Sequence, residues 1–372
     1  MKSRRHPNIE IARAVAILII FGFHFGYYWG LTGGRLGPWN GPQGRLERLV
    51  AVYGGTFGVS VFIMISGLVL VAAMSRAPAT GAFYRRRLLR IYPLFWWIAL
   101  PTMLVLLVLG RLSMDRVWQA PFWLSGTTIV YPGHLWPISA PWWFITLIVQ
   151  IYLAFPLLWR LYRRIGPAGL LAICLLVNVL CLKLLGPPHA PWGHDTAQYL
   201  LLAFVGSRLV ELSAGICLGV AYWGWSRGER PSLQLALTLV AGVPAALLVL
   251  QRVDYHQISP LRAYVFVAVM ALPFVAAACR SWAGSRLLAP LVWLGGISYA
   301  FYLAHSVLIM PVIVGLGRLG VHSGRLAFFA SLLVALTVSA GFHYSYAVFA
   351  PRAKARTARL RVARDGLTAA AD

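Results

Sequence analysis

Ten stretches of about 20 predominantly apolar residues divide the chain, at roughly 9–29, 54–74, 91–110, 141–159, 168–185, 197–224, 233–251, 262–279, 290–315 and 325–350. Each is long enough to cross a hydrocarbon core of roughly 30 Å as an α-helix. The pattern predicts an all-α integral membrane protein, a bundle of about ten transmembrane helices. An even number of spans puts both termini on one side. On that count 21 of the 33 basic residues fall on the terminal side, about ten on the other, and Arg13 and Arg208 inside spans. The bias makes the terminal side cytoplasmic, and a multi-pass protein of a bacterial inner membrane is expected. Residues 1–350 read as the membrane-embedded domain and 351–372 as a basic, disordered cytoplasmic tail.

Composition sharpens this picture. A chain of 372 residues that is 60% hydrophobic and 11% charged, with mean hydropathy +0.74, falls outside the soluble globular class. The formal net charge of +24 sits in short clusters between apolar runs. It therefore points to anionic lipid head groups and an anionic small molecule as partners, and not to nucleic acid. The four cysteines, Cys174, Cys181, Cys217 and Cys279, lie within apolar segments, so neither a disulfide nor a metal site is expected. The basic start of the first segment resembles a signal sequence, but the segment is long, carries charges and lacks a small-residue cleavage site, and it is read as an uncleaved span.

Chemistry is sought in the polar exceptions to the apolar pattern. The first span holds Glu10, Arg13 and His24. On an α-helix the step from Arg13 to His24 is about 1100°, ~20° past three turns, so both project from one face roughly 16 Å apart, with Glu10 within about 40° of it. Ionisable groups in a bilayer face a partner or a wet cavity, and this stripe is expected to line a reaction tunnel. A second stripe recurs at i, i+3, i+7 and i+10 in the ninth span, as Gly295, Ser298, Tyr302 and His305. In the sixth span Arg208 and Glu211 are i,i+3 neighbours with Gly215 and Gly219 on the same face. That pair either locks helices together or orients a polar acceptor. Arg87 and Arg90, also i,i+3, stand at the mouth of the third span. They read either as a charge anchor or as a bidentate grip on the phosphates of a nucleotide-like ligand.

The longest outer loop, about 111–141, carries Trp118, Phe122, Trp123, Tyr131 and Trp136, and Trp142 and Trp143 follow it. These read as an interfacial aromatic belt or a sugar-stacking surface. His24 is the best candidate for acid–base or covalent work, because imidazole titrates near neutral pH. His6, His134, His189, His194, His256 and His322 fall in loops or tails, His343 stands alone in the last span, and none of them receives a role. Nucleophile-elbow, Walker, dinucleotide and HExxH signatures are absent from the sequence.

Taken together and in order, these segments resemble the type-3 acyltransferase family, bacterial multi-pass enzymes that move acyl groups, usually acetyl, from coenzyme A onto sugars outside the cytoplasm. Ile9 to His24 is similar to the family's opening helix of an acidic residue, a basic residue, ten residues and His. Gly58 to Gly67 is similar to its second-span motif ending in Ser-Gly, and Arg87-Leu88-Leu89-Arg90-Ile91-Tyr92-Pro93 to its Arg-x-x-Arg signature. Arg208-Leu209-Val210-Glu211 with Gly215, and Gly296-Ile297-Ser298-Tyr299 through His305, resemble two further family segments. One departure stands out. Many members carry two carboxylates in the fourth span, and here Trp143 to Tyr152 reads WFITLIVQIY, with Ile148 and Val149 in their place.

The resemblance implies an O-acyltransferase that takes acetyl, or another acyl group, from cytoplasmic acyl-CoA to a hydroxyl of a sugar or polysaccharide precursor on the far side. It implies catalytic roles for His24 and Glu211, and donor binding by Arg13, Arg87, Arg90, Ser66 and Tyr92. Trp143, Arg208, Tyr302 and His305 are expected on the acceptor side, with Glu10 holding Arg13. The donor is expected as a substrate and not as a resident cofactor, and no metal is expected. The competing class is a transporter or flippase of a lipid-linked sugar, in which the stripes line a translocation path without covalent chemistry.

Overall fold

The structure, a computed structural model, describes residues 6–32, 45–75, 79–113, 117–130, 138–185, 200, 202–253 and 286–368; for 45–53, 56, 130, 140, 251–253 and 350–368 it gives the backbone alone. Helices α1 (Pro7–Leu31), α2 (Arg45–Ser75), α3 (Thr80–Val108), the short α4 (Ala120–Ser125) and α5 (Trp143–Leu185) come first. A 3₁₀ turn at Val205–Arg208 leads into α6 (Leu209–Trp225), followed by α7 (Leu233–Leu237), α8 (Val243–Val253), α9 (Ala289–Arg318) and α10 (Gly324–Thr368). Strands are absent from the described residues. Eight segments among them are long and apolar enough to cross a membrane, as expected of an all-α membrane protein.

Most differences from the expected spans have local causes. The fourth and fifth spans form one helical segment, α5, broken at Gly166, whose φ of 74° suits glycine, and followed by Pro167. The two halves run antiparallel to each other: Gln150 of the first and Asn178 and Cys181 of the second all meet the same short stretch, Ala203 to Ser207, just before α6. The third span starts at Thr80, eleven residues earlier than expected, because Arg and Leu are strong helix formers and carry the basic cluster into the helix. The sixth starts later, after the 3₁₀ turn. The seventh is interrupted by a π turn at Thr238–Gly242, two residues before Pro244, which has no N–H to close the α-helical bond to Val240. Beyond residue 350 the backbone of α10 stays helical through Thr368, in an Ala-, Arg- and Leu-rich stretch.

Helix directions follow from the packing. Gly295 of α9 abuts Glu10 of α1, and His305 meets His24, so α1 and α9 are parallel. Gly58 packs on Ala16 and Gly55 on Phe23, making α2 antiparallel to α1, while Gly215 packs on Met64 and Gly219 on Leu68, making α6 parallel to α2. Gln234 packs at Gly166 and Gly242 at Leu171, so α8 follows the second half of α5 and is parallel to α9. Residues 253 and 286 therefore lie at opposite faces of the bundle. The span expected at 262–279 belongs to that connection and lies outside the described residues.

Small residues let these helices meet backbone to backbone, as in membrane bundles generally. A Cβ on Gly215 would sit 2.7 Å from Met64 Cα, and one on Gly67 2.8 Å from the Leu212 carbonyl oxygen. Gly341 has open space around its Cβ position. Gly215→Ala is therefore expected to lower stability by about 1–3 kcal/mol through overpacking, whereas Gly341→Ala should be neutral or gain up to about 1 kcal/mol of helix propensity. Thermal unfolding of the two variants in detergent checks this, and equal midpoints would contradict the packing argument. Elsewhere Phe21, Phe25, Phe301 and Phe328 join α1, α9 and α10 through ring contacts of 5.2–6.5 Å.

Candidate functional site

Six helices enclose a cavity of about 300 Å³. Helix α1 contributes Arg13 and Ile20, α2 Ser66, α3 Arg90 and Ile91, and α5 Phe144, Ile148 and Tyr152, while α9 adds Ser298, Tyr299 and Tyr302 and α10 His343 and Tyr346. The first expected stripe thus faces the cavity through Arg13, and the second through Gly295, Ser298 and Tyr302. Glu10, an acid in the first turn of α1, where the helix dipole favours a negative charge, pairs with Arg13 at 3.0 Å. Its second carboxylate oxygen is buried without a hydrogen-bond partner.

The two arginines of α3 take different places. Arg90 is exposed and lines the cavity. Arg87 sits over the Phe83 ring, 5.7 Å from its centroid, and hydrogen-bonds Tyr152, so it stands behind the lining and orients a tyrosine that belongs to it. Tyr92, expected to bind the donor, instead donates its hydroxyl to the Ser125 carbonyl at the end of α4. Ser66 lines the cavity while its hydroxyl donates to the Phe62 carbonyl at 2.8 Å.

Beyond Ile20 and Tyr302, one turn further along α1 and α9, His24 Nδ1 and His305 Nε2 lie 3.1 Å apart. His24 is half-buried and His305 is fully buried, its ring stacked on Phe301 at an interplanar angle of 2°. His305 Nδ1 lies 3.0 Å from the Phe301 carbonyl oxygen. Both ring nitrogens of His305 are thereby occupied. The segment before α5 braces this part of α9 from both sides of His305. Trp142 Nε1 donates to the Leu303 carbonyl at 3.0 Å, the Ser139 and Ser306 hydroxyls are 2.6 Å apart, and Tyr302 donates its hydroxyl to the Pro141 carbonyl.

Arg208 and Glu211 lie outside this lining. Buried between α2 and α6, Arg208 Nη1 is 3.1 Å from Glu211 Oε1, which also accepts from the Ser60 hydroxyl at 2.7 Å. Arg208 Nε and Glu211 Oε2 have no partner. Of the two readings left open, helix locking fits this geometry. Ile148 lines the cavity as apolar wall, and Val149 packs at Gly126. Trp143 packs on Phe144 and beside Ala203, away from the cavity.

The arrangement offers cationic groups at an exposed end, aromatic walls and an imidazole pair past the inner end. Tyr152, Tyr299, Tyr346 and His343 were missed by pattern reading, since an aromatic on an apolar span looks the same whether it faces core, lipid or cavity. Among the described residues no cluster of three or more His, Cys, Asp or Glu is placed to hold a metal ion.

These features define a multi-pass membrane protein with an internal polar site. The chain belongs to the Acyltransferase domain family, which matches residues 6–344, and it is a membrane acyltransferase. It is similar to Nodulation protein 10 of Rhizobium leguminosarum bv. viciae, with 24% identity over 300 residues, 71% of this chain and 74% of that protein. It is 28% identical over 324 residues to Acyltransferase MdmB of Streptomyces mycarofaciens, covering 82% of this chain and 79% of the relative. A putative peptidoglycan O-acetyltransferase, YrhL of Bacillus subtilis (strain 168), is 23% identical over 348 residues; the match takes in 84% of this chain but only 50% of that protein. No solved structure matches the chain.

Proposed function

We propose that this acyltransferase takes an acyl group, acetyl first among them, from cytoplasmic acyl-CoA to a hydroxyl of a carbohydrate acceptor presented at the opposite face of a bacterial inner membrane. The observation that carries the reading is the aromatic cavity lined by Arg90 and Arg13, with the His24–His305 pair one helical turn past its lining residues Ile20 and Tyr302. Two guanidinium groups suit the phosphates of the donor, and the walls suit its pantetheine arm. The name of the Bacillus relative, a putative O-acetyltransferase, supports acetyl as the group and oxygen as the acceptor atom.

In the proposed reaction His24, one helical turn past the lining residue Ile20, takes the proton of the acceptor hydroxyl or carries the acyl group itself. Arg13, held by Glu10, and Arg90 bind the donor, while Arg87 acts through Tyr152. Purified protein in proteoliposomes with labelled acetyl-CoA tests this directly. Transfer of the label to a carbohydrate acceptor supports the reading. A transporter neither cleaves the thioester nor moves the label, and that result would replace it.

Arg90→Ala is expected to raise KM for acyl-CoA about 10-fold, the size of one lost charge-assisted hydrogen bond. Arg230→Ala, at an exposed position between α6 and α7, should leave it unchanged. Steady-state kinetics on the two variants check this, and equal KM values would remove Arg90 from donor binding.

A further inference from the structure

We infer that His305 is a positioning residue that fixes the tautomer of His24, so that His24 works through Nε2. The inference rests on the acyl-transfer reading for its chemical meaning, but its geometry stands alone.

A carbonyl oxygen only accepts hydrogen bonds. Because His305 Nδ1 lies 3.0 Å from the Phe301 carbonyl, that nitrogen carries the proton. In the neutral ring Nε2 is then an acceptor, and its neighbour at 3.1 Å, His24 Nδ1, must donate. The His24 ring also donates to the backbone of Ile20, one turn back on α1, and in the neutral ring this bond shares the single Nδ1 proton with His305. With its proton held on Nδ1, neutral His24 presents an Nε2 lone pair. The chain of bonds runs from the Phe301 carbonyl through both rings to that lone pair. His305 is held for this task by complete burial, by stacking on Phe301, and by the bonds from Trp142 and Ser139 to its neighbours Leu303 and Ser306.

The step balances as follows. The acceptor O–H proton passes to His24 Nε2 as its oxygen bonds the thioester carbonyl carbon, giving an imidazolium whose Nδ1–H still donates to His305. The C–S bond then breaks with its electron pair on sulfur, and the Nε2 proton moves to that sulfur, releasing CoA thiol and restoring neutral His24. His305 thereby does for His24 what an orienting carboxylate does for a triad histidine, without placing a second charge in the membrane.

Two isosteric substitutions separate positioning from packing. The amide of Gln reaches about as far as Nε2, whereas that of Asn ends near Nδ1. His305→Asn is expected to lower kcat about 100-fold with KM for acyl-CoA within about threefold, while His305→Gln, whose carbonyl oxygen can accept from His24 Nδ1, stays within about tenfold of the parent. Equal losses in Asn and Gln variants with the parent's unfolding midpoint would overturn the inference. A readout that needs no turnover is solid-state ¹⁵N NMR of full-length protein in lipid, with the His24 signal assigned by its loss in His24→Ala. A protonated Nδ1 with unprotonated Nε2 is expected, and the reverse tautomer would overturn the inference even if acyl transfer is confirmed. Conversely, a parent protein that moves no acyl group would remove the transfer reading and leave the tautomer result standing.

Discussion

His24→Ala is expected to lower acyl transfer by at least about 10³-fold while leaving the protein inserted and folded. General acid–base catalysis alone is worth about 10²–10⁴, and an acyl-carrying role would add to it. The fold should tolerate the change: the ring is half-buried, and its bond to His305 is worth only about 1 kcal/mol net. KM for acyl-CoA should move less than about threefold, because the residues proposed to hold the donor, Arg13 and Arg90, lie at least one helical turn away on the cavity wall. The measurement is label transfer from acetyl-CoA beside a thermal unfolding scan. A variant retaining more than a tenth of parent activity would exclude His24 from the chemistry. Rapid quench of the parent without acceptor then separates the two His24 roles, since label bound to protein marks an acyl carrier and its absence marks a base.

Much of this site was legible in the sequence, but as separate lines. The 3.6-residue period places Arg13 and His24 on one face of α1 and Ser298, Tyr302 and His305 on one face of α9, because within a helix direction follows from spacing. That the two faces meet is a tertiary fact: His24 and His305 are 281 residues apart in sequence and 3.1 Å apart in space. Nothing in the period told whether His305 served an acceptor or another imidazole. The same limit separated Arg87 from Arg90. Their i,i+3 spacing made them a pair, yet the neighbouring Tyr152 takes the first and the open mouth takes the second. Span lengths were legible because hydrocarbon thickness sets them, whereas the reversal at Gly166 and the π turn before Pro244 depend on single residues that a 20-residue window averages away. Glu211 shows the opposite case. As an acid in an apolar span it was expected to be catalytic, while its surroundings of Arg208 and Ser60 also suit a structural occupation.

That occupation sets the second large expected effect. Glu211→Ala should destabilise the protein by about 3–5 kcal/mol, because it leaves the guanidinium of Arg208, 2% exposed, without its counter-charge between α2 and α6. The Arg208 Nε already lacks a partner, so no alternative acceptor stands ready. Removing both charges is a different perturbation. The double variant Arg208→Met, Glu211→Leu keeps the volume and ends the desolvation cost, and it should unfold within about 1 kcal/mol of the parent or above it. Ser60 would then keep its hydroxyl without Glu211, and Ser60→Ala in the same background should recover part of any remaining loss. Thermal or denaturant unfolding of the single, double and triple variants closes the cycle, and activity decides the role. If the pair only locks α2 to α6, the refolded double variant transfers acyl groups at close to parental rate. A double variant that is stable yet inactive would return Arg208 and Glu211 to the acceptor side of the reaction.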